Sequence, residues 1–231
     1  MFHPSPANHA RLDLYAPIHR ALRLFMSAML ARVGALDVTD VREVSSVLDQ
    51  LDALLGMCRH HALIENEIVH PEIEAAQPGA SQRMHGEHQH HLAAIVALEA
   101  EVVAVRVFPS AMQALRLYRQ LALFVAANLE HMQFEETAHN EVLWACYDDA
   151  AIAAIEQRIV AQSTPDQRGL VLRWMTPALP PDERAQRFRS LRATLPPAAF
   201  GAVLDIARDV LDDRAWDKLS EALASSYEVP A

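Results

Sequence analysis

The chain has 231 residues, 52% of them hydrophobic, and a formal charge of −10. That length suits one main core with an appendage, and the apolar share excludes wholesale disorder. The acidic balance, with no basic stripe, excludes nucleic acid as the expected partner and favours metal cations. The two cysteines, Cys58 and Cys146, are too few for a disulfide framework or a thiolate zinc site. The N-terminus MFHPSPANHARLDLYAP lacks an apolar signal core, and no long uncharged apolar run follows. A cytoplasmic protein without membrane contact is expected.

Scarce glycine and abundant Ala, Leu, Glu and Arg predict an all-α chain. A first helix is expected from Tyr15 or Pro17 to Val33, with Gly34 as its stop. A second starts near Asp40, where Glu43 completes a capping-box pattern, and runs to about Val69. Pro71 disturbs it and Gln77-Pro78-Gly79 closes it. A third covers about Ser81 to Val107. A fourth starts at the Ser110/Gln113 capping pattern and reaches about Tyr147. Short links between such helices predict antiparallel neighbours in an up-down four-helix bundle. After Asp148 the helices shorten and are punctuated by proline at Pro165, Pro180-Pro181 and Pro196-Pro197. The expected division is a bundle over 10–148 and a smaller helical region over 149–231.

The histidines are unevenly placed. All 12 lie between His3 and His139, and none from Asn140 to Ala231. A helix turns about 100° per residue, so positions i, i+3, i+4 and i+7 share a face. His19 falls on the stripe of Tyr15, Leu22, Met26, Leu30 and Val33. His61 and Glu65 share one with Leu54, Met57, Cys58 and Ile68. His88 lines up with Met84, Leu92 and Ile95, with His91 close to that face. His131 and Glu135 lie beside Phe124, Ala127, Ala138 and Val142. A buried polar group without a partner costs about 1–3 kcal/mol, and an ionised carboxylate costs more. Four such stripes at similar depth are therefore expected to meet at a metal centre.

These pieces, IHRALR around His19, HALIE at His61–Glu65 followed by Pro71, EH at Glu87–His88 and HMQFEE at His131–Glu136, resemble the hemerythrin-like, or HHE cation-binding, family over about residues 10–148. The resemblance implies a pair of non-haem iron ions with an oxo or hydroxo bridge, with Zn or Mn as alternatives. Carried over by position, His19, His61, His88 and His131 would be terminal ligands, and Glu65 and Glu135 the bridging carboxylates. Oxygen-carrying members place two histidines four apart on the third helix; here Leu92 and Met84 flank His88 at that spacing. His91 is the expected fifth histidine, with His85 and His60 as alternatives.

A ferritin-like centre is the structural rival, because Glu67-Ile-Val-His70 and Glu136-Thr-Ala-His139 also match its pattern. Glu67 and His70 fall about 120° or more from the His61 stripe on a regular helix, toward solvent. The first helix carries no acidic residue from Pro17 to Gly34, so that centre lacks its fourth carboxylate. Three functions are expected in turn. The first is binding or sensing of O2, NO or peroxide. The second is an enzyme reducing peroxide or NO, or an iron donor for cluster repair. The third is a metal-free interaction module. Tyr15 and Cys58 are the redox-capable neighbours, and Trp174, Trp216 and Tyr227 are candidates for packing in cis or for a homodimer or signalling surface.

Overall fold

Asp13 opens the first helix by accepting the backbone N–H groups of Tyr15 and Ala16, both at 2.9 Å. In the computed structural model, which describes residues 11–225, this helix is α1 (Ala16–Gly34). Residue 10 and Tyr227 lie outside the described residues. Gly34 does not stop α1 through a left-handed turn, since Gly79 is the positive-φ glycine among the described residues. A Cβ at Gly34 would instead stand 2.9 Å from the Tyr118 ring, so glycine permits a close helix contact there.

Helix α2 (Val41–Ile64) is capped by Asp40, which accepts from the N–H groups of Arg42 and Glu43. Glu43 does not return the expected bond to Asp40; its carboxylate accepts from the Asp37 N–H at 3.2 Å. After Ile64 the chain widens into a π turn, Glu65–Val69, and continues as α3 (His70–Ala76). Pro71 explains the widening: a proline ring clashes with the carbonyl four residues back, that of Glu67, and donates no bond to it. The helix thus passes the proline rather than ending at Val69. It turns at Gln77-Pro78-Gly79, with Gly79 at φ 89°.

Helix α4 (Gln82–Val107) leads through Ser110, which caps the next helix by accepting from the Gln113 N–H, into α5 (Ala111–Phe134). A second π turn, Glu135–His139, precedes α6 (Asn140–Cys146). Here the Thr137 hydroxyl donates to the carbonyls of Gln133 and Phe134, which competes with the regular ladder. Helices α1, α2, α4 and α5 pack as successive neighbours around one core that includes Leu22, Met26, Leu51, Leu54, Leu98 and Leu121.

The remaining helices are α7 (Asp149–Gln162), α8 (Pro165–Ala178), α9 (Pro181–Thr194), α10 (Pro197–Val210) and α11 (Asp213–Ala224). Three of them begin on a proline, whose missing N–H is harmless there. Helix α8 lies along α1, with Met175 and Leu179 in the bundle core and the Trp174 ring stacked on Phe25 at 3.9 Å. Buried Arg184 donates to the carbonyls of Thr176 and Leu179, which satisfies the open end of α8. Phe188, Ala207, Leu219 and Leu223 form a separate cluster among α9, α10 and α11. Among the described residues no strand occurs, and no helix is long and apolar enough to cross a membrane.

Candidate metal centre

Most buried polar atoms in a folded protein have a hydrogen-bond partner, so those that lack one need a reason. Among the described residues, nine buried side-chain atoms have none, and eight of them sit on His19, His61, Glu65, His70, Glu135 and His139. All six residues lie at one end of the bundle, where the two π turns face each other.

Two four-residue groups form there. One is His19, His61, Glu65 and Glu135; the other is Glu65, His88, His131 and Glu135. Each carboxylate turns one oxygen to each group. Glu65 sets Oε1 at 3.3 Å from His61 Nε2 and Oε2 at 3.3 Å from His88 Nε2. Glu135 sets Oε2 at 3.5 Å from His19 Nε2 and Oε1 at 3.1 Å from His131 Nε2. The i, i+4 spacing of each H-x-x-x-E pair brings imidazole and carboxylate to the same side of its helix.

The outward nitrogens fix how the rings face. His19 Nδ1 donates to Glu136 at 3.0 Å, His131 Nδ1 to Glu87 at 3.0 Å, and His88 Nδ1 to Asn66 Oδ1 at 3.0 Å. Glu136 is itself held by Arg23, and Glu87 by Arg83. A neutral imidazole that donates through Nδ1 presents the Nε2 lone pair at its other end. In their neutral forms the three rings therefore aim an Nε2 lone pair at the carboxylates. His88 Nε2 and His131 Nε2 stand only 2.9 Å apart, a contact that needs a proton or a cation between them.

The electrostatics agree. Burial pushes the Glu65 carboxyl up to about 7 and pulls the His88 imidazole down to about 4. His61 is driven well below the ordinary histidine value, again mainly by burial. Burial also lowers His131, but Glu135 and Glu87 outweigh it and raise the imidazole to about 9. A cation would replace protons at such a site and repay the cost of burying the carboxylates. Nitrogen and carboxylate donors of this kind suit Fe, Zn or Mn.

The profile of the hemerythrin HHE cation-binding domain matches residues 12–140. The chain belongs to the hemerythrin HHE cation-binding family. Comparison with curated proteins finds no match, and comparison with solved structures finds none either.

In this HHE domain His91 is buried but lies outside both four-residue groups; its ring packs edge-on to His131 at 4.8 Å. Of its alternatives, His85 is exposed, and His60 pairs with Ser163. The expectation that His70 faces solvent is overturned: it is 4% exposed, and His139 is 1% exposed. One extra residue in a helical turn sets everything downstream back by about 100°, and the π turn after Glu65 swings His70 inward by that amount. Residue spacing also gave no role to Glu136, Glu87 or Asn66. Their signals were the doubled glutamate of HMQFEE, the glutamate just before His88, and the asparagine just after Glu65. Tyr15 is buried with its hydroxyl 3.1 Å from His139 Nδ1, and burial pushes the Cys58 thiol up to about 12.

Carboxylates that orient metal-binding histidines typically carry 10- to 100-fold in metal affinity. Glu136→Ala should therefore weaken metal binding by about that factor while saturating metal still fills the centre. Competition against a chromophoric chelator measures it; an unchanged affinity would show that Glu136 has no such part.

Proposed function

We propose that this HHE domain holds two iron ions and uses them to bind O2, NO or peroxide, storing or sensing the small molecule rather than turning it over. His19 and His61 would hold one ion, His88 and His131 the other, and Glu65 and Glu135 would span both. The observation that carries the reading is the convergence of unpartnered, fully buried nitrogen and oxygen atoms on Glu65 and Glu135.

Ferrous iron, held there by these residues, would supply electrons to a small oxidant. The chain's own residues do the rest. Glu136, Glu87 and Asn66 hold three imidazoles through Nδ1, which leaves their Nε2 atoms on the side of Glu65 and Glu135, where the ions would be held. A small cavity adjoins His88 and His131, lined also by Cys58, His91, Ile95, Asn128 and Met132. Its volume of about 10 Å³ is at the lower limit for a single water, so an organic substrate does not fit there. The high thiol pKa keeps Cys58 protonated and unreactive as a nucleophile there.

The test is stopped-flow mixing of the anaerobic, reduced, iron-loaded protein with O2. The expected result is a new visible absorption that decays when O2 is removed. No spectral change would overturn the reading, and sustained consumption of peroxide or NO with a reductant would overturn its storage or sensing half.

A further inference from the structure

Next to the pair lies a third group that two cation positions do not use. His70, Glu135 and His139 bring one donor atom each within 4.8 Å of one another, and all three residues are buried. Neither ring nitrogen of His70 has a hydrogen-bond partner, and Nε2 of His139 has none. Each such orphan is a penalty to the fold if nothing binds it. The usual explanation of a buried histidine, a satisfied core polar group, therefore fails for His70.

The local chain is built to place them. Both π turns begin at a glutamate of the pair and end at or just before one of these histidines. The His70 ring is parallel to His88 at 5.1 Å and edge-on to His139 at 5.5 Å. Tyr15 orients the second ring: its phenol oxygen lies 3.1 Å from His139 Nδ1, which leaves Nε2 as the ring nitrogen without a hydrogen-bond partner. Asn140, fully buried, anchors that turn by donating to Asp13 and to the Glu136 carbonyl.

We infer that His70, His139 and Glu135 form a third divalent-cation position beside the proposed iron pair, sharing the Glu135 carboxylate with it. Two imidazoles and one carboxylate suit a ferrous or zinc ion of incomplete protein coordination, the remaining positions being open to water. The inference rests on the reading of the pair only in that both use Glu135.

The test is anaerobic loading of the metal-free full chain with Fe(II), desalting, and elemental analysis, for the wild type and for His70→Ala/His139→Ala. The expected result is three ions per chain in the wild type and two in the double variant. Two ions in both would overturn the third position and leave the pair standing; none in the wild type would overturn both. Anomalous diffraction at the iron edge from wild-type crystals keeps the inference decidable if the double variant does not fold. A third peak near His70 and His139 supports it, and peaks only between Glu65 and Glu135 overturn it.

Discussion

Glu135→Ala is expected to empty the centre of metal. Glu135 is the residue common to all three donor groups, is 0% exposed, and has no hydrogen bond on either oxygen. Removing it takes a donor from every position at once, whereas a single histidine variant takes a donor from one. Without metal, Glu135 is the buried charge partner of His131 at 3.1 Å and holds that imidazole up to about 9, so the metal-free alanine variant should be less stable than the metal-free wild type at neutral pH. The wild type alone should then gain stability from metal, by about 4 kcal/mol at a thousandfold excess over its dissociation constant. Elemental analysis and thermal melts with and without Fe(II) measure both halves. A Glu135→Ala protein that keeps the wild-type metal content, or the wild-type melting shift, would remove Glu135 from the centre.

Phe25→Ala is expected to destabilise the fold by about 3–5 kcal/mol, the range for truncating a buried aromatic side chain. Phe25 is 1% exposed in the bundle core, and its ring lies 3.9 Å from Trp174 with only 12° between the planes. The contact joins α1 to α8, so the loss combines a cavity in the bundle with a missing face for the later helix. Denaturant unfolding followed by far-ultraviolet circular dichroism and by tryptophan emission measures it. A loss below about 1 kcal/mol would mean that the neighbouring helices collapse into the space, contrary to the close packing seen here. Metal binding should survive at saturating metal, because Phe25 is no donor.

Helical periodicity alone brought His19, His61, Glu65, His88, His131 and Glu135 onto buried stripes. That inference needs only a constant turn per residue and the cost of burying polar groups, both local properties of the chain. The structure brings these six residues together in the two four-residue groups. His70 shows where the reasoning fails. On a regular helix it points away from His61, but Pro71 forces a wide turn and the histidine comes inside. Inside that turn Glu67 and Ile68 still keep their expected sides, exposed and buried, so the pattern as far as Ile68 gives no warning.

From its sequence, then, this protein receives four amphipathic helices, a histidine-rich half and two H-x-x-x-E pairs, because each is written in residues one or two turns apart. Tertiary structure decided the rest. It placed Glu136 on His19, Glu87 on His131 and Asn66 on His88, across helix interfaces that no local spacing encodes. It laid α8 on α1 through Trp174 and Phe25, residues far apart in the chain. And it turned His70 and His139 toward Glu135, because a widened helical turn changes which face is inward and only packing shows where that face leads.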